Sequence, residues 1–594
     1  MRNIWLTLIA CAVCNTGARS ASDQLPIPQA RSSAVLKCDI KLTPRPAKPD
    51  DESIASVDVD LVFETIRIVP GDPLLQLALI ADNVDTVATT VTNLEARDAR
   101  GRLPLHWSDV DLPLEAARDS ETGGQTREWF ADRTPEGSVT VHYTVPAMAT
   151  LPPRGPAPPT AFRNDEDGVS VAGNVFLLVP PGNERYAVTS RWDLSWLKAG
   201  AVGVTSLGEG SATSAAPMNS AQLRQSYFMG GAVHRWPAGQ DSKGFFSAWQ
   251  GTPPFDAASL MSWTRTLHQQ YLRFFGQNVE QPYGVFLRFN PVNAGGGTGF
   301  FHSFVLTYGS GIGADVAWLR ITLAHEMFHT FQPYISVPAG KESSWFAEGL
   351  AVLYEGKLPL RYRLITPEAF LKNLNFTASR YYSSVMATQP NSEIVARFWE
   401  DTRIRTLAYD RAMLYFAVVD DAVRKKHHGQ RSLDDLMLQM LALEKHGMEL
   451  SNSDWESVLR AELGAQAVTD FHDFLGGKMP IPAPDAFGPC FTRTTARVRR
   501  YELGFSTAVL AEPKRIVRGL ISESAAERAG LHDGDEIINP VPQDEIQGNQ
   551  TELLKLEIRR DDQEFVISYL PRGEEVEVYQ WARVPGRADD QCGI

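Results

Sequence analysis

Apolar and polar residues alternate along the first quarter of the chain. Ser56–Phe63 and Ser138–Val145 place apolar side chains at every second position, the period of a strand with one buried face. Short runs of this kind, separated by Pro, Gly and Asp, recur over residues 35–150 and predict strands. The stretch Leu151–Pro159 is too stiff and too poor in N–H donors for a central strand or a helix, and predicts a linker. Further strands are expected at Asn174–Val179 and near Tyr186. From about residue 255 the period lengthens, and 258–275 and 314–332 read as helices in a helical region that runs to about 475. Pro480, Pro482 and Pro484 mark another linker, after which short strands and turns return.

A chain of 594 residues has room for roughly three to five domains. Its 43% hydrophobic and 22% charged residues are ordinary for soluble globular proteins. The net charge of -14, with no long Lys/Arg stripe, argues against nucleic acid as a partner. The basic run Arg424–His428 follows an apolar stretch of helical pattern and reads as a solvated helix C-terminus.

Ile4–Ala10 is an apolar run too short to span a bilayer but adequate for a signal peptide. Thr16, Gly17 and Ala18 supply small residues for cleavage, so a signal peptide over 1–18 and export are expected. The alternative is a lipid anchor at Cys11, because Leu8–Cys11 resembles a lipoprotein processing site. No later segment has the pattern of a transmembrane span. Of the five cysteines, cleavage would leave Cys38, Cys490 and Cys592. One disulfide fits an oxidising compartment, and Cys490 with Cys592 would staple the C-terminal region, although the sequence leaves the pairing open.

The chemistry concentrates at His325-Glu326-Met327-Phe328-His329, an H-E-x-x-H run in which Val316, Leu319, Leu323 and Met327 recur at helical spacing. Two histidines four residues apart share one helix face, so both imidazoles reach one ion, while Glu326 projects beside them as a general base. With 12 histidines in the chain, such a run arises by chance on the order of once per hundred chains of this kind. Glu348, in Ser343–Gly349 and separated from His329 by 18 residues, supplies a third ligand from a returning helix. Three protein ligands suit one zinc ion with an open fourth position, the arrangement of catalytic rather than structural sites. The competing reading is a pair of hydrogen-bonded core histidines.

The H-E-x-x-H run, the 18-residue gap and Trp345-Phe346-Ala347-Glu348-Gly349 together resemble the gluzincin metallopeptidases, and within them the glycyl aminopeptidase family. That resemblance implies a multidomain fold: a β-rich N-terminal domain (35–235), a thermolysin-like, mainly α catalytic domain (236–478) and a C-terminal PDZ-like β domain (495–585). It implies zinc-dependent hydrolysis of a peptide or protein substrate. Tyr409 in Leu407–Leu414 resembles the family tyrosine that donates a hydrogen bond to the oxyanion, although Arg411 and Ala412 stand where the family has lysine and glycine. Gly297, Gly299, Phe301 and His302 are similar to the family's substrate segment, with Phe301 in place of the glutamate that holds a free amino group. Aminopeptidase action is thus implied by the resemblance, with endopeptidase or atypical exopeptidase action as the alternative. Leu503-Gly504-Phe505 and Ser524–Ile538 resemble a PDZ domain, implying a carboxylate-binding loop beside an exposed strand that takes a C-terminal peptide. A catalytically idle peptide-binding protein is a further alternative, although an idle enzyme need not retain Glu326 beside three intact ligands.

Overall fold

The computed structural model describes residues 35–593 except 49–52, 69–70, 83, 112–123, 149–158, 166–167, 239–243, 278–280, 293, 339, 447 and 542. The expected signal peptide, Cys11, Cys14 and most of the linker at 151–159 lie outside the described residues. Among the described residues no helix is long and apolar enough to cross a membrane.

Alternation becomes a sheet in the N-terminal region. Val57, Val59, Leu61 and Phe63 of strand Ile54–Phe63 point inward and are fully buried, and the strand pairs with Leu36–Pro46 on one side and Val139–Pro146 on the other. These strands sit in a seven-stranded sheet, in which Leu36–Pro46 also runs parallel to Tyr186–Trp192. A second, five-stranded sheet includes Gly168–Ala172 and Tyr227–Gly231. The strand expected at Asn174–Val179 is instead a helical turn, Gly173–Phe176, followed by buried irregular chain. A short, fully buried apolar run carries no period that separates the two conformations.

A five-stranded mixed sheet introduces the catalytic part. Its order is Val233–Trp236, Phe245–Gln250, Tyr283–Phe289, Ser303–Tyr308 and Gly297–Phe300. The first of these strands straddles the boundary expected at 235/236. Helix Ala257–Phe274 makes the crossover between the parallel strands Phe245–Gln250 and Tyr283–Phe289. Gly297–Phe300 is an edge strand, paired only with Ser303–Tyr308, and runs beside helix Val316–His329.

That helix starts where Asp315 accepts hydrogen bonds from the N–H groups of Ala317 and Trp318. Its Leu319, Leu323 and Met327 are fully buried in a core shared with Leu350, Tyr354 and Phe416 of helices Ser344–Arg361 and Ala412–Lys426. The last of these ends at Lys426, inside the basic run, as its charge predicted.

The C-terminal unit is tied into the same core. Strands Phe491–Tyr501 and Arg572–Arg583 form a two-stranded ribbon whose Phe491, Val578 and Trp581 belong to the catalytic core. Asn375 grips it: its Nδ2 donates to the Trp581 carbonyl, and its Oδ1 accepts from the Trp581 N–H, each at 2.8 Å. Cys490 and Cys592 form a disulfide at the foot of the ribbon, and Cys38 is buried and free. A four-stranded sheet, Arg515–Ile516, Glu536–Ile537, Leu554–Arg560 and Gln563–Tyr569, closes over a small core of its own.

Candidate metal centre

Helical spacing brings the two imidazoles together: His325 Nε2 and His329 Nε2 are 3.1 Å apart. Glu348, from the first turns of Ser344–Arg361, places Oε2 at 3.3 Å from each. Tetrahedral zinc with bonds of about 2.0–2.1 Å separates its ligand atoms by about 3.3 Å. The three distances therefore describe one face of such a tetrahedron, and among the described residues this is the sole His/Cys/Asp/Glu group with that proximity.

The outer nitrogens support the same reading. Glu355 Oε2 lies 2.8 Å from His325 Nδ1, while its Oε1 accepts from Asn373 Nδ2 at 2.8 Å. The carboxylate leaves Nδ1 as the protonated nitrogen and Nε2 free to ligate. The Gln332 carboxamide lies 2.7 Å from His329 Nδ1, and its Oε1 is otherwise buried without a partner. Turning that carboxamide over lets the oxygen accept from Nδ1–H, which again leaves Nε2 free to ligate. Burial lowers the proton affinity of His325, but hydrogen bonds to Glu348 and Glu355, with the charges of Glu355 and Glu326, outweigh it and hold the imidazole well above its usual pKa. The same field attracts a divalent cation.

Glu326 stands beside the ligands against the edge strand. A Cβ on Gly297 would lie 2.6 Å from Glu326 Cγ, and one on Gly299 would lie 3.6 Å from Glu326 Oε2. Glycine at 297 is thus what lets the strand backbone approach the carboxylate. Burial raises the Glu326 carboxyl above its ordinary pKa, opposed by His325 and His329, as suits a group that accepts a proton. Gly349, directly after Glu348, permits a similar approach, since a Cβ there would lie 2.4 Å from Ala412 Cβ.

Tyr409 lies in a π-helical turn, Leu407–Arg411, a distortion frequent at functional sites. Its ring is stacked 6.2 Å from that of His325, and it lines the same cavity as His325, Glu326, His329 and Glu348. Burial, then the charge of Glu348, push its pKa well above the usual value, so the hydroxyl stays a donor. Arg411 is turned away, donating to the Gln389 carbonyl, and is fully buried as a structural group.

The cavity holds about 670 Å³, within the range of sites for small ligands or short peptides. Gly297 and Gly299 line it; Phe301 and His302 do not. Phe301 and His302 form the turn that leaves the edge strand: Phe301 packs against the N-terminal core and donates its N–H to the Gln225 carbonyl, while His302 takes a positive φ of 48°. Phe301, expected opposite the substrate, lies instead in the turn that follows the strand, which ends at Phe300, while Gly297 and Gly299 on the strand itself face Glu326.

Leu503 and Phe505 are buried in the small C-terminal core, and Gly504 has φ of 88°. The Gly504 carbonyl accepts from Ile521 N–H at 2.7 Å, and Ser506 N–H donates to Arg518 at 3.0 Å. Thr507–Ala511 is a 3₁₀ turn. The expected peptide-pairing strand is therefore absent directly after this loop.

Three partners of the site escaped the sequence reading: Glu355, Gln332 and Asn373. Glu355 follows Glu348 by seven residues, a spacing that shares a helix face, whereas Gln332 lies three residues past His329, where the helix has ended. Asn373 comes from another helix, Pro367–Tyr382, and has no such signal.

No family model and no curated protein matches the sequence. Among solved structures, an aminopeptidase N family protein from Idiomarina loihiensis has a TM-score of 0.60 at 15% identity, covering 91% of this chain and 97% of that one. The two share a fold. It is a multidomain fold with a β-rich N-terminal region and a helical part behind it. A mutant M1 zinc metallopeptidase from Deinococcus radiodurans bound to a Tyr-Ser-Ala substrate has a TM-score of 0.48 at 17% identity, covering 76% of this chain and 96% of that one.

Proposed function

We propose that this protein is a zinc metallopeptidase of gluzincin type that hydrolyses peptide bonds outside the cytoplasm. The observation that carries the proposal is the triangle of His325 Nε2, His329 Nε2 and Glu348 Oε2 with sides of 3.1, 3.3 and 3.3 Å, with Glu326 beside it. Zinc bound there acidifies a water and polarises the substrate carbonyl. In this reading Glu326 takes the water's proton and returns it to the leaving amine. The Tyr409 hydroxyl, on the cavity wall, in the same reading donates to the carbonyl oxygen as charge develops on it. The unpaired edge of Gly297–Phe300 offers backbone N–H and C=O groups to an extended peptide. The disulfide Cys490–Cys592 and the apolar run Ile4–Ala10 support an oxidising, extracytoplasmic location.

Aminopeptidase action follows the resemblance and the shared fold. The alternative, endopeptidase or atypical exopeptidase action, is favoured by one observation: the strand facing Glu326 presents glycines at 297 and 299 and no carboxylate for a free amine. Cleavage of an unbiased peptide library with free and blocked amino ends separates the two. Metal analysis should return one zinc per chain. A zinc-free chain, or hydrolysis undiminished in Glu326→Gln, would overturn the proposal.

A further inference from the structure

The cavity around the metal site is not walled by the catalytic part alone. Gln543 and Asp544, from the C-terminal unit, line it together with Arg405 and Tyr409. They belong to a segment, Gln543–Gly548, that projects from the small C-terminal sheet and packs on catalytic helices. A Cβ on Gly548 would lie 2.3 Å from the Phe376 ring, and Gln547 Oε1 accepts from the Thr402 hydroxyl at 3.2 Å. This docking brings in one charge. The Asp544 carboxylate meets Arg405 Nη2 at 2.5 Å and accepts from the Thr402 hydroxyl, while its backbone carbonyl accepts from Arg380 Nη1 at 3.2 Å. Burial would raise the Asp544 carboxyl, but the charge and hydrogen bond of Arg405 bring it below its ordinary value, so the pair is ionic.

The two arginines differ in what they have left to give. Arg380 spends Nε and Nη2 on both oxygens of Asp410, and Nη1 on Asp544. Arg405, whose side chain is 11% exposed, gives Nη2 to Asp544 while its Nε is buried without an acceptor. Its guanidinium is 5.7 Å from the Trp399 ring, and Lys341 Nζ is 4.6 Å from the neighbouring Phe398 ring. All four residues line the cavity. A largely buried guanidinium that lines the cavity together with a second cation, and that commits only Nη2 to a protein carboxylate, is a recognition site for a further carboxylate, which offers two acceptors in the geometry of the guanidinium fork.

We propose, resting on the peptidase reading of the cleft, that Asp544 is a positioning residue by which the C-terminal unit holds Arg405, and that Arg405 so held takes a carboxylate of a short peptide substrate. The carboxylate comes either from the peptide's C-terminus or from an acidic side chain. In this arrangement the C-terminal unit sets substrate preference through the cleft rather than through a separate groove.

The test uses the full chain carrying Glu326→Gln, loaded with zinc, and measures binding by calorimetry. Three matched tetrapeptides serve as ligands: one with a free C-terminal carboxylate, its amide, and an amide with an internal glutamate. At least one carboxylate-bearing peptide should bind about tenfold tighter or more than the plain amide. Preference for the free acid alone assigns the C-terminus, and equal gain from the internal glutamate assigns the side chain. Introducing Arg405→Gln should abolish the preference, and Asp544→Asn should remove most of it at unchanged zinc content, with Asp544→Glu restoring part. In the Glu326 background, Asp544→Asn should raise KM more than it lowers kcat. Equal binding of all three peptides overturns the proposal whether or not the Asp544 variants fold, because that comparison needs neither. Preference intact in Asp544→Asn but lost in Arg405→Gln overturns the role of Asp544. If the carboxylate preference holds and the Glu326 chain cleaves no peptide, the peptidase reading falls instead.

Discussion

Replacing Glu355 by glutamine tests the metal site through a residue that touches no ion. Glu355 is 6% exposed and uses both oxygens, one 2.8 Å from His325 Nδ1 and the other accepting from Asn373 Nδ2 at 2.8 Å. Glutamine keeps the shape but offers one acceptor and one donor. If its oxygen stays on His325, its amide meets the Asn373 amide unless the Asn373 carboxamide turns over. With that turn only the charge assistance to His325 is lost; without it a buried donor is also left unmet. These limits correspond to about tenfold and a hundredfold weaker zinc binding, the range for partners of metal-bound histidines, or about 1.4–2.7 kcal/mol. Competition for zinc against a fluorescent chelator reads this directly. Asn373→Ala should have a smaller effect, since the carboxylate and its bond to His325 remain. Equal zinc affinity in wild type and Glu355→Gln would refute the argument that this carboxylate sets the orientation and basicity of His325.

Glu326→Gln should retain zinc and lose turnover, whereas Glu348→Gln should lose zinc; metal analysis beside peptide hydrolysis tells them apart. Tyr409→Phe should lower kcat by about tenfold to a thousandfold with little change in KM, and an unchanged kcat would make Tyr409 a packing residue. Phe301→Glu should leave the ratio of kcat/KM for free and acetylated peptides where it is, because residue 301 packs on the N-terminal core outside the cavity; a shift toward the free amine would return it to the cleft. Cys592→Ser opens a crosslink spanning 102 residues and should cost about 4 kcal/mol of stability, seen as a lower urea midpoint. No change in that midpoint would mean the ribbon is held by its packing alone.

The residues of the metal site are legible along the chain because their geometry is local. His325, Glu326 and His329 lie within one turn of a helix, and the helix is announced by Leu319, Leu323 and Met327 and capped by Asp315. The seven-stranded sheet is legible for a similar reason, since one solvated face imposes alternation. Strands such as Tyr283–Phe289 and Ser303–Tyr308 are buried on both faces and lose that alternation, so the sheet that carries the edge strand left no clear trace. Which residue of Gly297–His302 faces Glu326 depends on pairing with Ser303–Tyr308 and on where the turn falls, and a shift of one position exchanges the faces. The family resemblance pointed to Phe301, but the strand ends at Phe300 and leaves Phe301 in the turn, so Gly297 and Gly299 are the residues that face Glu326. Asn373 beside Glu355, and Asp544 beside Arg405, are joined across 18 and 139 positions of chain by the packing of separate elements. Helical period and ligand spacing are properties of neighbours in sequence, whereas register and docking are set by surfaces that meet only when the core closes.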